Sequence, residues 1–118
     1  MKYVLFDVLK GLVLKSATRH DDEMIVFETE CGRTFKMFHE QECCESVYIE
    51  DVVGDLNDIV GNPILVAECV EGRVAWDADG NKMYTFYKID TVKGGVTIRW
   101  NGSSNGCYSI SVYLYEEV

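Results

Sequence analysis

The sequence predicts an α+β fold: mostly antiparallel β, with about six to seven strands and one short helix near residues 51–60. Three observations carry that expectation. Residues alternate in polarity on either side of Gly32, as in a hairpin. Three runs near the C-terminal end are rich in β-branched and aromatic residues. Val52, Leu56, Ile59 and Val60 recur at helical spacing just before Gly61-Asn62-Pro63, a helix-stopping tripeptide.

Residues 3–9 read as a short helical turn or an edge strand ended by Gly11. Residues 12–17 suggest a strand, His20-Asp21-Asp22 a turn, and 24–29 the next strand. Glu30-Cys31-Gly32-Arg33 is the hairpin turn, with Gly32 taking a positive φ, and the return strand runs to Phe38. The connector 39–46 is too polar and too rich in cysteine to continue it. After the helix, with Asp51 or Asp55 as its cap, comes a buried-looking strand over 64–70. Residues 71–82, carrying Gly72, Asp77, Asp79, Gly80 and Asn81, read as a loop or irregular hairpin. Strands over 83–91, 95–101 and 106–115 then form a C-terminal meander.

A chain of 118 residues with 47% apolar content fits one domain, 1–118, with a core that needs neither metal nor disulfides. Its apolar runs fall far short of the ~18 residues of a membrane span, and Asp7 interrupts the N-terminal run, so a signal peptide is not expected. Five cysteines without CxxC spacing are expected to be reduced, in the cytoplasm. A net charge of −9 excludes a general duplex-binding role. Acidic residues crowd 20–58, where Arg33 and Lys36 alone oppose them, whereas Lys82, Lys88, Lys93 and Arg99 outnumber Asp90 in 82–115. The second half can therefore tolerate a small phosphate-bearing ligand.

His39, Cys43 and Cys44 form the one local cluster of soft metal-ligand types. Adjacent cysteines seldom both reach one tetrahedral ion, and a further ligand must come from His20, Cys31 or Cys69. A Cys43 thiolate with His39 as base is the enzymatic alternative, opposed by the like charges of Glu40, Glu42 and Glu45. The plainer expectation is that Cys43 and Cys44 are small buried packing residues. Glu50, Asp51, Asp55 and Asp58 lack calcium-loop spacing. Tyr84, Phe86 and Trp100 read as core, and Trp76 as an exposed interface anchor. No metal and no cofactor are expected.

Phe38-His39-Glu40-Gln41-Glu42-Cys43-Cys44-Glu45-Ser46-Val47, continued by Ile49-Glu50-Asp51-Val52-Val53-Gly54-Asp55-Leu56, resembles the hallmark of a family of small tailed-bacteriophage proteins described as a domain of unknown function. Thr85-Phe86-Tyr87-Lys88 and the run from Val96-Thr97-Ile98-Arg99-Trp100 through Asn101-Gly102-Ser103-Ser104-Asn105-Gly106 resemble that family's C-terminal signature. Cys107 departs from it, standing where an aromatic is expected beside Tyr108. The chain is also similar to the phage sponges that sequester the cyclic ADP-ribose signal of Thoeris defence. These resemblances imply an accessory protein acting in the bacterial host cell against immunity, without turnover.

Alternation along 95–101 places Val96, Ile98 and Trp100 on the core face and Thr97, Arg99 and Asn101 on the other, with Ser109, Ser111 and Tyr113 expected beside Arg99 on a partner strand. Arg99 suits a phosphate, Asn101 and Asn105 suit base edges or ribose, and Phe86 and Tyr108 suit ring stacking. The expected function is sequestration of a nucleotide-type immune signal, cyclic ADP-ribose-like or a cyclic oligonucleotide, by a homodimer. The alternative is an acidic inhibitor that mimics nucleic acid and docks on a basic host defence protein through Glu40, Glu42, Glu45 and Asp51.

Overall fold

Strand pairing organises almost the whole chain. The computed structural model describes residues 1–77, 80–104 and 110–117, apart from the side chains of 73–82. Among the described residues there are nine strands: β1 (Lys2–Val4), β2 (Leu14–His20), β3 (Met24–Thr29), β4 (Thr34–Phe38), β5 (Ser46–Val53), β6 (Val66–Asp77), β7 (Gly80–Thr91), β8 (Gly94–Ser104) and β9 (Tyr113–Glu117). They form two antiparallel sheets, ordered β1-β9-β4-β3-β2 and β5-β8-β7-β6.

Each sheet turns one apolar face inward, as the two-residue period of its strands dictates. Ile25, Phe27, Phe35, Met37 and Leu114 come from the first sheet, and Ile49, Tyr87, Ile89, Val96, Ile98 and Trp100 from the second; all are buried. The indole N–H of Trp100 donates to Met37 Sδ at 3.1 Å, and the Tyr87 hydroxyl donates to the Val112 carbonyl at 3.0 Å, joining the layers by two buried polar contacts. The 3-10 turn Phe6–Leu9 buries Phe6 and Leu9, with the Phe6 ring 4.9 Å from that of Tyr87. Residues 3–9 thus supply an edge strand and a helical turn in succession.

The fold is mainly β, not α+β. In place of a helix near residues 51–60, β5 continues to Val53, where the β-branched Val52 and Val53 pair with Ile98 and Thr97. Gly54 then takes φ +104° with its α-carbon against the Gly95 carbonyl, where a Cβ would collide. Only the four-residue 3-10 turn Leu56–Ile59 remains, capped by Asp55 Oδ1 accepting from Asn57 N at 2.9 Å. The apolar spacing is real, but it buries Ile59 through one turn rather than along a helical stripe.

Two further expectations change. The expected loop over 71–82 is largely strand, since β6 pairs with β7 through Asp77 and Gly80 across a register shift between Glu71 and Val74. The side chain of Trp76 lies outside the described residues. The C-terminal meander also differs: β6, β7 and β8 are the consecutive neighbours, and β9 crosses to the first sheet, between β1 and β4. Leu114 matches Val4 and Met37 in register there, so burial against the first sheet's apolar face outweighs proximity in sequence. The hairpin at Gly32 stands as expected, with φ +92°.

Candidate functional site

On β8, Val96, Ile98 and Trp100 point into the core and Thr97, Arg99 and Asn101 point away, as the alternation requires. Register then determines what surrounds Arg99. Phe86 lies directly opposite on β7 and Asp51 on β5, while Asn101 faces Tyr84 and Tyr48. Tyr84 and Phe86 are therefore half-buried on the outer face of the sheet rather than in the core, which Trp100 does enter.

The guanidinium of Arg99 lies 4.3 Å from the centroid of the Tyr84 ring and 5.8 Å from that of Phe86, within cation–π range of both. A register shift between Ile49 and Asp51 brings the Glu50 carboxylate to this face. Glu50 reaches Arg99 Nη2 at 3.6 Å and accepts from Asn101 Nδ2 at 3.1 Å, and Asn101 Nδ2 also donates to the Tyr48 hydroxyl at 3.2 Å. Arg99 Nε is buried and has no hydrogen-bond partner among the described residues. The side chains of Arg99 and Glu50 remain 38% and 33% exposed, so solvent and solutes reach the pair. The face offers a cation, two ring planes and an amide, held in place by the ladder.

Of the five residues singled out for ligand binding, the structure gathers Arg99, Asn101 and Phe86; Asn105 and Tyr108 lie outside the described residues. Tyr113 does not border Arg99. It belongs to β9, where it pairs with Phe38 in the other sheet. Sequence reading missed Glu50 and Tyr48, because a bulge shifts which side chains share a face.

The connector is organised around Glu45. Its side chain is fully buried and accepts from Cys43 N at 2.8 Å, Gln41 Nε2 at 2.9 Å, Glu42 N at 3.3 Å and His39 Nε2 at 3.3 Å. The Cys43 N–H above all, then the other backbone donors and His39, hold its carboxyl below the usual carboxylate range. His39 Nδ1 donates to the Ser111 carbonyl at 2.7 Å. Held at both ring nitrogens, by the Ser111 carbonyl and the Glu45 carboxylate, His39 is a brace and not a base for Cys43. Cys43 and Cys44 are exposed, so neither is the buried packing residue expected. Among the described residues no group of three or more His, Cys, Asp or Glu side chains is placed to hold a metal ion.

A cleft of about 300 Å³ opens between the β1–β9 edge and strands β6 and β7, with Tyr3, Cys69, Glu71, Thr85, Tyr87 and Tyr113 on its walls. Burial raises both the Cys69 thiol and the Tyr87 hydroxyl above their ordinary values. At neutral pH both are protonated, and the cleft holds no thiolate nucleophile. No sequence motif marks it, because β1, β6, β7 and β9 come together only through the sheet order.

No helix among the described residues is long and apolar enough to cross a membrane. A family model described as "Domain of unknown function (DUF7448)" matches residues 8–114. No curated protein and no solved structure matches the chain.

Proposed function

The chain belongs to the DUF7448 family, and we propose that it is a non-catalytic binding protein that holds a nucleotide-type ligand on the outer face of the β5-β8-β7-β6 sheet. The observation that carries this reading is the placing of the Arg99 guanidinium within cation–π range of the Tyr84 and Phe86 rings. A guanidinium already placed over ring faces meets a phosphate without a large ordering cost, and the rings and the Asn101 amide meet a base. Glu50 acts as a gate: its carboxylate occupies the guanidinium until a more strongly charged anion displaces it. The cellular role that fits is a phage accessory protein that sequesters an immune signal as a homodimer in the bacterial cytoplasm.

Calorimetric titration with cyclic ADP-ribose and with cyclic dinucleotides tests this, with mass spectrometry of the ligand recovered afterwards. One of these probes is expected to bind and to return chemically unchanged, and Arg99→Ala is expected to weaken it by about tenfold or more. Glu50→Gln is expected to tighten it. Absence of binding by every probe, or conversion of the bound one, would overturn the proposal.

A second reading, docking on a basic host protein, is supported by a specific acidic edge. The turn carrying the exposed Asp21, Asp22 and Glu23 is tied to β5 by Ile49 N donating to the Asp22 carbonyl at 2.6 Å, beside exposed Asp51. Glu45 is buried and contributes nothing to that surface. Binding to a basic nuclease that falls steeply with salt and survives Arg99→Ala would favour this reading.

A further inference from the structure

The outer face of the first sheet carries a different feature. Tyr113 and Tyr115 alternate with buried Leu114 on β9, and Tyr3 lies opposite Tyr115 on β1, so all three rings stand on the same side. The Tyr3 and Tyr113 centroids are 5.2 Å apart at an interplanar angle of 87°, Tyr3 and Tyr115 are 6.4 Å apart at 70°, and Tyr113 and Tyr115 are 6.3 Å apart at 75°. Three nearly perpendicular rings make the corner of a box, and the hollow they bound measures about 400 Å³. Tyr3 and Tyr113 are exposed by 52% and 41%, large values for rings in a folded domain.

From this geometry we infer that the corner formed by Tyr3, Tyr113 and Tyr115 is a binding site for an alkylated ammonium group. A quaternary or methylated ammonium is weakly hydrated, fills a box of ring faces, and is drawn by the negative quadrupole of each ring. The charge of the surroundings agrees. Besides burial, the carboxylate of exposed Glu40 acts on Tyr115 and raises its hydroxyl above the usual value, so an anion stands beside the corner and the ring stays neutral. Lys36, opposite Tyr115 on β4, is engaged by Glu117 at 3.5 Å, and among the described residues the cation–ring contacts of Arg33 and Arg99 fall on other rings. Tyr3 and Tyr113 also wall the adjoining cleft, whose Glu71 adds a second carboxylate along the path of any chain the ammonium carries. This site is independent of the Arg99 face, which attracts the opposite charge.

Choline and its uncharged carbon isostere, 3,3-dimethylbutan-1-ol, separate cation recognition from apolar docking. In NMR titrations of the full chain, choline is expected to shift the ring signals of Tyr3, Tyr113 and Tyr115 saturably, with an affinity about tenfold or more above that of the isostere. Tyr113→Phe, which keeps the ring face, is expected to retain binding, and Tyr113→Leu to lose about tenfold. Equal binding of the two probes would make the corner an apolar patch and overturn the inference, as would the absence of any choline-dependent shift. Concentration-dependent broadening of these rings without ligand, with no choline effect, would assign the face to a second copy of the chain and overturn it equally.

Discussion

Trp100 of β8 and Met37 of β4 meet between the two sheets, the indole N–H donating to the thioether sulfur at 3.1 Å where neither side chain reaches solvent. This contact decides more than packing. Among the described residues the indole is the largest fully buried side chain, and its polar atom has one partner. Met37→Leu keeps the volume but orphans the N–H, which should cost about 1–3 kcal/mol. Trp100→Phe removes the donor along with part of the ring. The double variant should therefore be more stable than the sum of the two losses predicts, by at least about 0.5 kcal/mol. Urea denaturation of the four proteins gives the coupling, and strict additivity would show that the sulfur contact contributes nothing.

A second prediction follows from Gly54. A residue at φ +104° with a Cβ driven onto the Gly95 carbonyl is strained twice, whereas Gly32, at φ +92°, has open space around the same position. Gly32→Ala should cost about 1 kcal/mol, the conformational penalty alone, and Gly54→Ala at least about 2 kcal/mol. Equal denaturation midpoints for the two variants would contradict the close approach of β5 to the β7–β8 turn.

These two glycines also mark where the sequence was legible. The hairpin around Gly32 could be read because turn chemistry and alternation agree over a few adjacent residues. The turn at Gly54 could not, because the obstacle is Gly95, far along the chain, and local spacing at Val52, Leu56 and Ile59 imitated a helix. The same distinction governs the candidate sites. Arg99 and Asn101 follow from period-two alternation within β8, but Glu50 reaches them through a bulge, and the outward turn of Tyr84 follows only from the register of β7 on β8. Tyr113 would border Arg99 only if 106–115 neighboured β8, whereas β9 lies between β1 and β4. The tyrosine corner depends on β9 crossing sheets, and no local pattern announces that.

The connector predicts an acid dependence. Glu45 is held below the ordinary carboxylate value, chiefly by the Cys43 N–H. A carboxyl depressed in the folded state contributes its full stability above its unfolded value and loses it as pH falls through the depressed folded value. Wild type should therefore lose stability on acidification below the usual carboxylate range. Glu45→Gln, which turns an amide N–H toward donors it cannot accept from, should be less stable than wild type at neutral pH. The two should converge as pH drops. Melting temperatures across an acid series check this, and a constant gap between the curves would remove Glu45 as the titrating group.

Two free thiols among the described residues give the last prediction. Cys31 is exposed beside the hairpin turn, with Thr29 Oγ1 at 3.2 Å, and that hydroxyl first, then the Arg33 N–H, lowers its pKa. Cys69 is also reached by solvent, but burial of its sulfur beside Tyr87 and the Glu71 charge raise its pKa. Since the thiolate is the nucleophile, Cys31 should alkylate faster at neutral pH, and its rate should level off at a lower pH than that of Cys69. Thr29→Val removes the hydroxyl while keeping the shape, and should move the Cys31 profile toward higher pH without shifting that of Cys69. Site-resolved mass spectrometry after timed iodoacetamide exposure distinguishes them. A Cys69 rate equal to that of Cys31 would mean that the cleft wall does not shield its sulfur, and the protonated thiol assigned to that cleft would have to be abandoned.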